Sequence, residues 1–141
     1  DLVFAANHAK IADPHVKVGY TAGDGGAVIW PALLGPARAK QFLLTGDHLT
    51  GEQAAQIGLI NQAVPAEDLD RVVDEFAQRI ANGASLAIQF TKMSVNVTLK
   101  QQLVSVIDAS FAYEMLSGRT ADHQEAVNAF REKRAPRFTG K

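Results

Sequence analysis

A change in composition near Pro65 most limits the folds open to this chain of 141 residues. Eight of its 11 glycines lie before this proline, among short apolar runs, whereas residues 66–141 carry only three. In the second part apolar side chains recur at three- and four-residue steps, beginning with Leu69 and Val72, which predicts helices. The sequence therefore predicts an α/β part over residues 1–65 and a helical part after it.

The helical part needs a partner. A helical segment of about 75 residues with its own apolar stripes, attached to an incomplete sheet, buries too little surface for both parts to have a full core. We infer that it packs against another subunit.

Local signals place the elements of the first part. The predicted strands are short and extended, at residues 2–6, 10–18 and 59–64. The predicted helices are residues 27–34, which follow a glycine loop, 36–44, which begin at a proline, and a short helix capped by Thr50 with Gln53.

The secondary structure of two segments in the second part is harder to predict from local pattern. Residues 85–99 alternate with period two, from Leu86 through Ile88 to Phe90, as a strand would. A last helix is predicted to begin at Asp122, with Glu125 three residues on as a capping pair.

Bulk properties exclude several classes of function. Fourteen basic and fifteen acidic residues give a formal charge of −1. The chain therefore has no net positive charge that would attract nucleic acid or an anionic membrane. The chain has no cysteine, hence no disulfide or thiolate metal site, and no run of 18 apolar residues, and we expect no targeting segment. We expect a cytoplasmic protein whose partners are small molecules or other subunits, and the start at Asp1 suggests a fragment.

The glycine loop at residues 19–26 leads into a predicted helix, where backbone N–H groups can bind an anion or an oxyanion. A dinucleotide fingerprint would need glycine at position 28, where Val28 stands, and no P-loop lysine follows. A nucleotide-binding Rossmann fragment would rest on this loop alone. A plain turn is the other ordinary interpretation.

Three residues are candidates for chemistry. His15 and Asp24 could carry protons, although a lone histidine is most often structural and a loop aspartate usually bonds its own backbone. Lys133 lies in a basic cluster with Arg131, Arg134 and Arg137 that could hold phosphates or be a solvated tail. No nucleophile motif and no metal-ligand spacing among the histidines appears, so proton transfer and oxyanion chemistry remain.

The order of motifs is specific although no single one is. Residues 13–26 read DPHVKVGYTAGDGG, residues 44–65 read LTGDHLTGEQAAQIGLINQAVP, and the tail contains AFREKRAPRF. This succession resembles the C-terminal half of enzymes of the enoyl-CoA hydratase/isomerase (crotonase) family, over essentially the whole chain.

The resemblance implies a fold and a chemistry. It implies the C-terminal part of a ββα spiral over residues 1–65, followed by a helical trimerisation region over residues 66–141, with residues 85–99 helical. Such enzymes form trimers or dimers of trimers, bind an acyl-CoA thioester and stabilise its enolate with two backbone N–H donors. The family pattern places both donors in the half that precedes this chain. Coenzyme A is then part of the substrate, and no separate cofactor is expected.

The resemblance also assigns roles to the three candidate residues. Hydratases of the family carry a glutamate acid directly after the proline of residues 13–14, where this chain has His15. Asp24 falls in the loop where isomerase relatives place a functional aspartate, and Lys133 matches a lysine that contacts the CoA phosphates. The main hypothesis is a hydratase- or isomerase-type enzyme with His15 and Asp24 as proton carriers. The alternative is a non-catalytic oligomerisation or acyl-CoA-binding fragment, and we expect the 141 residues alone to be inactive.

Overall fold

The computed structural model describes all 141 residues and is mostly helical. Contacts between Cα atoms group the chain into two compact units, one of residues 1–11 and 49–102 and the other of residues 12–48 and 103–141. We call them the first and second unit. The division at residue 65, drawn from composition and from the resemblance, stays a prediction.

Four short strands lie in the first unit. They are β1 Phe4–Ala6, β2 Lys10–Ile11, β3 Leu49–Thr50 and β4 Gln62–Val64. β1 pairs in parallel with β4, and β2 pairs antiparallel with β3, which gives two sheets of two strands. Strand formation within residues 2–6 and 59–64 is therefore confirmed.

The predicted strand over residues 10–18 is wrong beyond Ile11, because His15–Val18 form a single 3-10 turn. The side chain of Asp13 accepts the backbone N–H of His15 at 3.3 Å, and the N–H of Lys17 donates to the carbonyl of Pro14 at 2.9 Å. An aspartate before proline that bonds the following backbone favours a turn over a strand.

Six α-helices account for most of the chain. They are α1 Gly26–Leu34, α2 Pro36–Thr45, α3 Gly51–Gln56, α4 Leu69–Ala81, α5 Ser85–Ser117 and α6 Ala121–Arg131. The capping box of α3 forms as predicted, since Thr50 Oγ1 accepts the N–H of Gln53 at 3.1 Å and Gln53 Oε1 accepts the N–H of Thr50 at 2.9 Å. The helix over residues 85–99 is also confirmed, within the longest helix of the chain.

The cap predicted for the last helix is wrong. Thr120 caps α6, because its hydroxyl accepts the N–H of His123 at 3.1 Å. Asp122 lies in the first turn and instead accepts the N–H groups of Thr139 at 2.6 Å and Gly140 at 2.8 Å. The acid therefore anchors the C-terminal tail rather than the helix end.

The buried apolar side chains are few, and many of them are alanines. Those of the first unit are Leu49, Ala54, Leu59, Ile60 and Val64, and those of the second are Ala22, Val28, Trp30, Ala39, Ala126 and Ala129. Alanines allow close approach of helices, and in the second unit α1 packs on α2 with the rings of Trp30 and Phe42 5.9 Å apart.

The long helix α5 carries apolar side chains around its whole circumference. Many of these are exposed, among them Leu86, Phe90, Met93, Val104 and Met115. A helix that is apolar on all sides is normally buried in a larger core or interface. None of the six helices combines the length and the apolar character that crossing a membrane requires.

Candidate active site

The 3-10 turn of the second unit brings His15 against a carboxylate. His15 Nδ1 lies 2.6 Å from Asp13 Oδ1, and Asp13 is 9% exposed. Because the same carboxylate oxygen also accepts the backbone N–H of His15, backbone and ring are held by one partner. A carboxylate that holds one ring nitrogen fixes the tautomer and leaves the other nitrogen free for proton transfer.

The free nitrogen faces the second predicted residue. His15 Nε2 lies 3.7 Å from Asp24 Oδ2, although the two residues are separated in sequence by the turn and the glycine loop. Asp24 is 57% exposed and His15 is 27% exposed, so this side of the ring is reachable from solvent. The two residues predicted as proton carriers are thus brought together, with an imidazole between two carboxylates.

The start of α1 is shaped to receive Asp13. A Cβ added at Gly26 would overlap Asp13 Oδ2 and lie 3.3 Å from Asp13 Cγ and from Ala22 Cβ. Any side chain at this position would therefore displace the carboxylate that holds His15. Glycine at position 26 is explained by this close approach of a functional side chain.

Burial and charge act on the imidazole in opposite directions. Partial burial of the ring works to lower the pKa of His15, but the hydrogen bond and charge of Asp13 raise it, as do the charges of Asp24 and Glu114. The net effect is a pKa above the ordinary value of histidine. The ring therefore holds a proton more readily than a free histidine at neutral pH, as a general acid requires.

Glu114 is a site residue that the sequence did not indicate. It lies near the end of α5, and its Oε2 atom is buried and has no hydrogen-bond partner. A Cβ added at Gly23 would lie 2.7 Å from this oxygen. In the sequence Glu114 is one of many polar residues in α5, so no local pattern marks it.

Hydrogen bonds attach the glycine loop to α5. The backbone N–H of Thr21 donates to Ser117 Oγ at 3.0 Å, and the hydroxyl of Thr21 donates to the carbonyl of Tyr113 at 3.4 Å. Since a 3-10 turn rather than a strand precedes this loop, the strand, glycine loop and helix order of a Rossmann fragment is missing.

Lys133 lies just beyond α6, exposed and with a positive φ of 54°. Its backbone N–H donates to the carbonyl of Phe130 at 3.2 Å, which ends the helix. No hydrogen bond or ion pair joins it to His15 or Asp24. Its predicted contact with CoA phosphates stays a prediction.

The neighbouring basic residue, Arg134, already forms ion pairs within the chain. Arg134 forms a two-point pair with Glu125, with Nη1 to Oε1 at 2.5 Å and Nη2 to Oε2 at 3.0 Å. Its guanidinium, with the N–H of Arg137, lowers the pKa of Glu125 to about 2. The basic cluster expected from sequence is thus partly neutralised within the chain.

The other histidines lie outside this arrangement. His123 Nδ1 lies 2.7 Å from the carbonyl of Val18, and its ring packs edge-on against Tyr20 with centroids 4.3 Å apart. His8 and His48 are exposed. No group of three or more histidine and acidic side chains is arranged to hold a metal ion.

Comparison with known proteins shows which family this chain resembles. The sequence profile of the family described as enoyl-CoA hydratase/isomerase matches residues 1–141. The 1,2-epoxyphenylacetyl-CoA isomerase of Escherichia coli is 36% identical over 100% of this chain and 54% of its own length. An enoyl-CoA hydratase structure from Mycobacterium avium subsp. paratuberculosis superposes with a TM-score of 0.92 at 27% identity, over 99% of this chain and 56% of that one.

A third relative has a different activity. The structure of a β-diketone hydrolase from Anabaena, bound to (S)-3-oxocyclohexyl acetic acid, superposes with a TM-score of 0.77 at 28% identity. It covers 83% of this chain and 47% of that one.

The chain belongs to the enoyl-CoA hydratase/isomerase family, and the crotonase-like fold predicted from its motifs is confirmed at that level. It spans about half the length of the curated relatives it matches, as the 54% coverage above illustrates. The half to which it corresponds, and its trimeric assembly, stay predictions.

Proposed function

We propose that the protein containing this chain is a hydratase- or isomerase-type enzyme acting on an acyl-CoA thioester. One observation carries the proposal: in a member of this family, the imidazole of His15 lies between Asp13 at 2.6 Å and Asp24 at 3.7 Å. An imidazole held on one nitrogen and open on the other is equipped to move a proton to or from the acyl chain.

In this mechanism the roles divide between the two carboxylates. Asp13 orients the ring, while His15 in its protonated form donates a proton at the acyl chain or, when neutral, removes one. Asp24 exchanges that proton at Nε2 and, being exposed, can pass it to solvent. The enolate that forms needs backbone N–H donors, which we assign to the rest of the protein.

The test uses the intact protein with a crotonyl-type thioester, following both hydration and double-bond migration. His15→Gln and Asp24→Asn should each lower kcat by about 100-fold or more, the range for a positioned acid or base. The matched controls are His48→Gln and Asp47→Asn, which make the same changes at exposed positions. Unchanged rates and pH profiles in both site variants would remove these assignments.

A second candidate reaction is hydrolytic cleavage of a carbon–carbon bond in a β-diketone. It is favoured by the histidine that stands where hydratases of the family carry glutamate, and by the similarity to the β-diketone hydrolase. Neutral His15 would take a proton from water, and the hydroxide would add to one carbonyl. The bond to the central carbon then breaks, its electron pair forms an enolate, and the imidazolium returns a proton to yield a carboxylic acid and a ketone.

The two candidates differ in product. With a cyclic β-diketone the hydrolase predicts release of one titratable acid group per turnover, and with a crotonyl thioester the hydratase predicts loss of the conjugated double bond. His15→Gln should abolish whichever activity is present. Turnover of the thioester alone would remove the second candidate.

Lys133 is proposed to contact the CoA phosphates. The proposal rests on the family pattern and on an exposed side chain held at a helix end by a left-handed backbone conformation. Lys133→Gln should raise KM for the thioester several-fold and leave KM for a substrate without CoA unchanged, whereas exposed Lys100→Gln should change neither.

Trimeric assembly, a cytoplasmic location and the absence of a separate cofactor complete the proposal. Assembly is supported by the exposed apolar surface of α5, which a second copy would cover. The alternative of a non-catalytic fragment is tested with the 141 residues alone, which we expect to bind without turnover. Sedimentation of the intact protein and of this chain would measure the assembly.

A further inference from the structure

The position of the Glu114 carboxylate is not explained by any hydrogen bond to its buried oxygen. Its Oε2 is buried without a hydrogen-bond partner, and a buried carboxylate oxygen without a donor is unfavourable. A buried polar atom without a partner in a folded protein needs an explanation, and a catalytic role is one such explanation.

The surroundings hold this carboxylate in position. The loop crosses α5 so closely that a Cβ on Gly23 would lie 2.5 Å from the carbonyl of Ser110 and 2.9 Å from the Cβ of Glu114. Thr21 bonds to the same helix one turn further on, at Ser117 Oγ. The loop that carries Asp24 therefore lies directly against the Glu114 side chain and covers its Oε2 atom.

Three acids from three different segments act on His15. Asp13 precedes the 3-10 turn, Asp24 lies in the glycine loop, and Glu114 comes from α5, and the charge of each favours the protonated ring. Asp13 and Asp24 lie at the two ring nitrogens. Glu114 is the one whose oxygen has no other partner.

We propose that Glu114 is a positioning residue of the His15 site, whose carboxylate, with one oxygen buried and unpartnered beside the glycine loop, stabilises the imidazolium and so keeps His15 ready to act as the proton donor. The inference rests on the proposed function of His15. It adds that the long helix α5 contributes to the chemistry as well as to packing. Glu114 acts through the ring and need not touch the substrate.

The first measurement is independent of activity. In the intact protein the titration of His15 is followed by NMR, with the signal assigned by its loss in His15→Gln. Glu114→Gln should lower the midpoint of this titration, and Glu114→Asp, which keeps the charge, should largely preserve it. Asp108→Asn removes an exposed charge from the same helix and should leave the midpoint unchanged.

The second measurement separates positioning from packing. Glu114→Gln should reduce kcat about fivefold, of the order that one nearby charge contributes, with KM little changed, and should move the His15 limb of the pH profile to lower pH. If Glu114→Gln does not fold, Glu114→Asp decides, because a midpoint that falls in this charge-preserving variant would overturn the proposal.

An unchanged midpoint in folded Glu114→Gln, or an equal fall in Asp108→Asn, would likewise overturn the inference. These results would leave the proposed function standing. Full activity in His15→Gln would remove the role of His15 on which this inference rests, and absence of thioester turnover by the wild-type protein would remove the proposed function.

Discussion

Substitution of Gly26 by alanine tests the central contact of the site. On helix propensity alone the change should stabilise α1 by up to about 1 kcal/mol. The structure predicts the opposite sign, because the new Cβ would overlap Asp13 Oδ2. Asp13 is almost fully buried and bonded to His15, so its short side chain cannot move aside and keep that contact.

The magnitude follows from the two contributions. Forcing a methyl group into a packed site typically costs about 1–3 kcal/mol, and a hydrogen bond to a charged group contributes about 1.5–3 kcal/mol. After the gain in propensity, Gly26→Ala should lower the free energy of unfolding by about 1.5–5 kcal/mol. At about 2–4 °C per kcal/mol, the range for 150–250 residues, the fall in Tm is about 3–20 °C.

A double-mutant cycle isolates the contact. Urea unfolding of the intact protein is measured for wild type, Gly26→Ala, Asp13→Ala and the double variant. In the Asp13→Ala background, which lacks the carboxylate, Gly26→Ala should lower the free energy of unfolding only slightly or should raise it. An equal effect of Gly26→Ala in both backgrounds would refute the reasoning, as would a stable Gly26→Ala protein in which the His15 titration is unchanged.

Three further results are expected. The pKa of His15 is raised in the folded state, so its favourable contribution is complete below the ordinary histidine pKa and is lost as pH rises through the folded value. The stability difference between wild type and His15→Gln should therefore shrink as pH rises above the ordinary histidine pKa, and a difference that grows would contradict this sign. Thr50→Ala removes the hydroxyl that accepts the N–H of Gln53 in the α3 capping box but keeps the backbone N–H that donates to Gln53 Oε1, and it should lower the free energy of unfolding by about 1 kcal/mol in urea melts. Because pairing with Arg134 lowers the pKa of Glu125 to about 2, this pair persists until pH falls through that value. Glu125→Gln should speed amide exchange in residues 134–141 at neutral pH, and unchanged exchange would show that the tail is held by other contacts.

Local chemistry explains the elements that the sequence predicted correctly. A proline at the first position and a glycine after the last set the bounds of α2, and the Thr50 and Gln53 side chains set the start of α3. These signals act between residues a few positions apart, so they need no knowledge of the fold. The errors arose where two local solutions competed, as at Asp13, whose side chain bonds the next turn instead of flanking a strand.

Residues 85–99 show the limit of local pattern. Their period-two alternation favours a strand, and only the family resemblance pointed to the helix that forms. Intrinsic preferences of this kind are weak, so the local alternation did not decide the structure of residues 85–99.

By itself the sequence determined the family, the order of helices and strands in outline, and His15, Asp24 and Lys133 as the candidate residues. Only the tertiary structure decided that Asp13 orients the imidazole, that Gly26 must lack a side chain, and that Glu114 belongs to the site. The physical reason is that charge and close approach act through space, across about 100 residues of sequence between Asp13 and Glu114, whereas motifs record only neighbours along the chain.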